Sequence, residues 1–262
     1  MLQIFSMPCG FLEFDTTLFF PNREKGKKFI IPVPSYLITH PKGNVVFDTG
    51  VHCQAIEDPF GRLGEISRMF VSRTKPGEEI VTQLGKFKLT PKDVNYVINS
   101  HFHFDHCGGN EFFPDSTIFI QKNEMHAARD PELRKKAFFD PKDFDHKLHY
   151  QEVDGEHDIF GDGSLVIIPT HGHTPGHCGV AVRQGEKWLL HAGDSFYSLG
   201  QIDSPPSRMP VALGLFQRWA DADRGQRVVN QERLRALKAS TGREVAIICS
   251  HDPTDFDRDV QQ

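Results

Sequence analysis

Between positions 101 and 110 the chain reads His101-Phe102-His103-Phe104-Asp105-His106-Cys107-Gly108-Gly109-Asn110. Three imidazoles and a carboxylate lie close together, and these are donors that zinc and neighbouring first-row metals accept. The preceding Val94-Asn95-Tyr96-Val97-Ile98-Asn99 has the composition of a short strand. In a loop leaving a strand, alternate residues can face one side. His101, His103 and Asp105 could therefore converge, with His106 turned to a neighbouring point. The glycines that follow permit tight backbone.

Ligand types recur downstream, each time after an apolar run. His173 follows Leu165-Val166-Ile167-Ile168, Asp194 follows Trp188-Leu189-Leu190, and His251 follows Val245-Ala246-Ile247-Ile248-Cys249. Donors gathered at strand ends from distant parts of a chain are how a rigid scaffold holds a reactive centre. Five histidines and two aspartates exceed the needs of one tetrahedral zinc. Such a set suits two metals sharing a bridging carboxylate, with water or hydroxide in the open position.

The elements that must position these groups follow from pattern. Residues 2–6 and 10–20 read as opening strands, and 28–33 and 35–40 continue that character. Asn44-Val45-Val46-Phe47 is a strand ending in Asp48-Thr49-Gly50, where the aspartate alone reads as a turn-former. Residues 51–77 loosen into a long loop or insertion with a little helix, a kind of segment that often carries binding function. Helical character is expected at 79–84, 122–129, 131–137, 211–222 and 225–240, and a strand at 116–121. Residues 138–158 read as irregular, with His146, His149 and His157 on the surface. Without repeat or linker, residues 1–262 read as a single domain of α/β (or α+β) class, its sheets buried by helices.

Composition narrows the function classes. The 262 residues carry a formal net charge of −5 and no basic run, so nucleic acid is not an expected partner. No apolar run approaches a membrane span, and the N-terminal residues lack a signal-peptide pattern. Five widely spaced cysteines without a CxxC do not form a disulfide framework, and a reducing, cytoplasmic setting is expected. Phenylalanine is abundant, with 22 against four tyrosines.

The order His-x-His-x-Asp-His, then His, Asp and His, resembles the metallo-β-lactamase superfamily from about Asp48 to His251. The resemblance implies a four-layer αβ/βα sandwich with its site at one sheet edge. It implies that His101, His103 and His173 bind one metal, that Asp105, His106 and His251 bind a second, and that Asp194 bridges two Zn2+ ions. Asp48 matches an aspartate that supports the ligands from behind. For the run Gly172-His173-Thr174-Pro175-Gly176-His177, the resemblance implies that the first histidine is the ligand and that His177, like His171, is a support.

Departures from other branches narrow the choice. Exported β-lactamases carry Cys where Asp194 stands. Flavodiiron proteins usually carry Glu where His103 stands. Glyoxalase II has a helical C-terminal region, whereas eleven residues follow His251 here. Tyr197, three residues after Asp194, matches the Asp-x-x-Tyr run of quorum-quenching N-acyl homoserine lactonases, whose tyrosine hydrogen-bonds the lactone carbonyl. The implied function is a di-zinc lactonase, with Tyr197 polarising the carbonyl and Asp105 shuttling a proton. The alternative is a hydrolase of another class of substrate: thioester, phosphoester or amide. Phe60, Met69 and Phe70 are candidates for an acyl-chain pocket; otherwise they pack under their loop or form a homodimer contact.

Overall fold

The computed structural model describes residues 2–19, 25–206 and 211–252. Its seven-stranded sheet is built from β1 (Gln3–Asp15), β2 (Lys28–His40), β3 (Gly43–Phe47), β4 (Val71–Ser72), β5 (Val94–Ile98), β6 (Thr117–Gln121) and β7 (His149–Val153). Their spatial order is β4-β1-β2-β3-β5-β6-β7. The five-stranded sheet comprises β8 (His157–Asp158), β9 (Leu165–Pro169), β10 (Cys178–Gln184), β11 (Lys187–His191) and β12 (Val245–Ile248), in the order β12-β11-β10-β9-β8.

Period-two alternation sends alternate side chains to opposite faces and so builds the layers. Tyr36, Ile38, Val45 and Phe47 from one sheet meet Leu165, Ile167, Val180 and Val182 from the other in the central core. On the far side of the large sheet, Leu37, Val46, Val97 and Ile118 pack on Ile80 and Leu84 of the helix Ile80–Lys86. On the far side of the small one, Leu190 and Ile247 meet Leu234 and Leu237 of the helix Arg224–Thr241. Helix, sheet, sheet and helix stack as an αβ/βα sandwich.

Mixed pairing aims the site. β3, β5 and β6 are parallel, so their C-terminal ends open on one edge. β11 and β12 are likewise parallel. Beyond Tyr36, where pairing with β3 begins, the earlier half of β2 pairs with β1. That arm carries apolar side chains toward the open edge.

Several expectations are corrected. The segments expected at 2–6 and 10–20 form one strand, β1, which is irregular in register between Pro8 and Phe11 and ends at Asp15; Thr16–Phe19 is a short helix, and residue 20 lies outside the described residues. Residues 28–40 are likewise one strand. Residues 138–158 are not irregular throughout: they contain the short helix Pro141–Phe144, then β7 and β8. β7 escaped notice because His149, Gln151 and Glu152 are exposed and polar, as an edge strand allows. His149 is on the surface, but His157 is half-buried against Phe119, and His146 Nε2 is buried with no hydrogen-bond partner among the described residues.

Candidate metal centre

The site begins at strand ends. Just after β3, Asp48 adopts a left-handed φ of 58°, strained for a residue with a side chain. Its carboxylate accepts from Ser100 N–H at 2.7 Å, Ser100 Oγ at 2.8 Å and His106 Nδ1 at 2.8 Å. The turns after β3 and β5 are thereby tied together. His103 precedes the short helix Phe104–Cys107, which returns Asp105 and His106 to the centre. Gly108 must be glycine, because a Cβ there would stand 2.5 Å from the Phe104 carbonyl and 2.7 Å from that of Gly50.

Seven predicted ligands come together. His101 Nε2 and His103 Nδ1 are 2.9 Å apart, and His103 Nδ1 lies 3.1 Å from His173 Nε2. His106 Nε2 and His251 Nε2 face each other at 3.3 Å, with Asp105 Oδ2 at 3.6 Å from the latter. Asp194 lies beside both groups, 3.6 Å from His173 Nε2, 3.5 Å from His106 Nε2 and 3.3 Å from His251 Nε2.

Whether this set fits a metal is decided by where its protons go. His106 donates through Nδ1 to Asp48, His251 through Nδ1 to the Pro32 carbonyl at 2.8 Å, and His103 through Nε2 to the Ala137 carbonyl at 3.0 Å. Ser100 Oγ takes the His101 Nδ1 proton at 2.9 Å. Each opposite ring nitrogen then points inward, where a shared cation would satisfy it. Among the described residues, Asp194 Oδ1 is buried without a hydrogen-bond donor. The donor set fits a divalent metal.

Electrostatics differ between the two trios. Against the cost of burial, Asp194, Asp105 and Asp48 raise His106 to about 10, and Asp194 and Asp105 raise His251, so positive charge is favoured there. Burial and the neighbouring imidazoles hold His101 well below the ordinary histidine range; burial does the same for His173, so both are neutral donors. Burial would raise Asp194, but His251, His106 and His173 hold it well below the usual carboxylate range. His177 is pushed down to about 4 by burial. Its Nδ1 contacts Thr170, and its Nε2 accepts the Asp194 N–H at 2.9 Å, so it fixes the backbone behind that carboxylate. His171 binds the His177 carbonyl, and buried His191 accepts from Gly193 N–H.

A cavity of about 440 Å³ opens from the cluster. His103, Asp105, His173, Asp194 and His251 form its polar end, and Tyr197 stands at the junction with its Oη 3.5 Å from His173 Nδ1. The apolar remainder includes Leu12, Phe14, Phe29 and Ile31 from the β1–β2 arm, with Leu213, Phe216 and Trp219 from the helix Val211–Ala220. Of the candidates from the 51–77 segment, Phe70 lines this cavity, whereas Phe60 and Met69 do not. Phe60 is 52% exposed beneath the Arg68 guanidinium, and Met69 borders a separate shallow groove. Sequence reasoning missed the arm and helix residues because apolar alternation looks the same in a core as in a pocket wall. It also missed Glu124, whose fully buried carboxylate had no sequence signal.

A buried His/Asp cluster at the open edge of an αβ/βα sandwich defines a metal-dependent hydrolase. A family model for the metallo-beta-lactamase superfamily matches residues 30–251, and the chain belongs to that superfamily. It is 31% identical over 258 residues to the N-acyl homoserine lactonase AttM of Azorhizobium caulinodans, covering 96% of this chain and 94% of that protein. It is also 31% identical over 230 residues to a probable metallo-hydrolase of Mycobacterium tuberculosis, covering 83% and 73%. A solved structure of an N-acyl homoserine lactone hydrolase, with N-hexanoyl-L-homoserine at its catalytic metal centre, shares the fold. Its TM-score is 0.79 at 22% identity, covering 97% of this chain and 95% of that one.

Proposed function

We propose that this chain is a di-zinc lactonase that opens N-acyl homoserine lactones or a related small lactone, acting as a single domain in the cytoplasm. The carrying observation is the continuity of the donor cluster with an apolar cavity, with Tyr197 where the two meet. Such a space suits a polar ring at one end and an aliphatic chain at the other. The lactonase names of the relatives support the same substrate class.

His101, His103 and His173 would hold one ion, Asp105, His106 and His251 the other, with Asp194 between them. Bound divalent ions supply an activated water and Lewis acidity at neutral pH. Burial, reinforced by the Asp194 charge, keeps the Tyr197 phenol well above its ordinary range. It is therefore a protonated donor, able to hydrogen-bond the lactone carbonyl oxygen as negative charge grows there. Asp105, at the polar end of the cavity, carries a proton to the leaving alkoxide. The Phe-lined walls exclude water from the acyl chain.

Metal-loaded protein incubated with lactones, thioesters, phosphodiesters and amides tests the assignment by acid release. Lactone turnover is expected to dominate; turnover of another class without lactone would overturn it. Tyr197→Phe should lower kcat by roughly 10²-fold, as for loss of one oxyanion donor, with the metal content unchanged.

A further inference from the structure

Glu124 is a buried carboxylate that none of the chemistry above uses. It lies in the first turn of the helix Lys122–Arg129 and is 0% exposed. No ion pair to it is found among the described residues; three hydrogen-bond donors surround it instead. Phe102 N–H reaches Oε1 at 2.9 Å, while Thr174 Oγ–H and Gly176 N–H reach Oε2 at 2.8 and 2.7 Å.

The identity of these donors matters. Phe102 lies between His101 and His103, and Thr174 directly follows His173. The three histidines whose donor atoms cluster within 4.8 Å thus come from two distant loops held by one carboxylate. Gly176 allows the close approach, since a Cβ there would stand 2.2 Å from the Glu124 nitrogen. The other trio has different anchors: His106 rests on Asp48 and His251 on the Pro32 carbonyl.

We infer that Glu124 is a positioning residue for one metal site alone, fixing the His101–His103 loop against the His173 loop. This rests on the reading of those histidines as one ion's ligands. A carboxylate is required because two oxygens with four lone-pair sites serve three donors at once. Glutamine has one acceptor oxygen, and its NH₂ would face a donor. An interior glutamate without a counter-charge is costly, and burial pushes Glu124 up to about 7. A neutral side chain would serve ordinary packing at lower cost.

The test is stepwise zinc removal by a chelator from the purified holoprotein, followed by metal analysis. Glu124→Gln should release one equivalent at roughly 10–100-fold lower chelator concentration, the range for loss of a group behind a ligand. The second equivalent should leave as in the unmodified protein. Cobalt(II) spectra identify the weakened site, with His251→Ala giving the signature of the first trio alone. Thr174→Val, nearly isosteric, removes one donor and should weaken the same equivalent by less, so the test stands even where Glu124→Gln fails to fold. Unchanged release in both variants, or parallel weakening of both equivalents, overturns the inference. If the unmodified protein binds fewer than two ions, the two-metal reading itself fails, a result visible before any variant is made.

Discussion

The donor cluster and the cavity wall meet at Tyr197, yet they are built on opposite principles. His101, His103, His106 and His251 each have one nitrogen turned inward and the other committed to a specific acceptor: Ser100, Ala137, Asp48 and Pro32. The wall instead uses rings in loose mutual contact. Phe216 lies 5.8 Å from Phe70, 5.9 Å from Tyr197 and 6.1 Å from Phe14, at three different inclinations. A directional network fails when one member is lost, whereas apolar packing loses energy in proportion to the surface removed. Function should therefore be brittle in the cluster and graded along the wall.

The sharpest way to break that contrast is Asp194→Ala. Asp194 is the anion beside both histidine groups, and its loss removes the one carboxylate that His106, His173 and His251 all face among the described residues. Lactone turnover should fall to the uncatalysed rate, with metal lost on dialysis. Two retained ions with a tenth of the original rate would show the cluster to be as tolerant as a wall.

The wall should respond differently. Phe216→Ala removes an aromatic surface of the wall that is not one of the metal-donor side chains, so both ions and kcat for a short acyl chain should be retained. For a long acyl chain, kcat/KM should drop about tenfold, equivalent to ~1.4 kcal/mol, through a raised KM. A matching loss for short chains, or loss of metal, would mean that the wall positions the reacting groups instead of merely covering the chain.

The same contrast explains what could be read from the chain. His101, His103, Asp105 and His106 are legible because metal donors are few in kind and their spacing reflects a strand ending in a loop. The sandwich is legible because runs such as Leu165–Ile168 have no use other than burial. Leu12, Phe14, Ile31 and Leu213 were not legible as a pocket. Alternation says which side of a strand is apolar, while only tertiary arrangement says whether that side meets a core or a cavity. Phe60 and Met69 show the converse: apolar residues in a suggestive segment that point away from the cavity. Glu124 was hidden for a third reason, because its partners are mainly backbone N–H groups, which leave no mark on sequence.

The smallest expected effect concerns how the wall is held. Leu12 and Phe14 line the cavity from β1, and between them Glu13 points to the other face, as strand geometry requires. There it takes two hydrogen bonds from Arg73, at 2.6 and 3.0 Å, and an ion pair from Lys28 at 3.0 Å. Hydrogen bonding to Arg73, outweighing burial and helped by Lys28, lowers Glu13 from 4.5 to about 2. A folded-state value below the unfolded one stabilises the fold at any pH above about 4.5, and that stabilisation is lost as pH falls toward 2. Arg73 and Lys28 are half-exposed, so water and salt keep the contribution small. Glu13→Gln should accordingly lower the urea midpoint slightly at pH 6, with the gap to the unmodified protein closing between pH 4.5 and 2. Metal content at neutral pH should not change, because the tether touches the wall and not the donors. Equal acid sensitivity in the two proteins would show that the β1 arm is held by packing alone. Loss of an ion at neutral pH would show that wall and cluster are mechanically one unit.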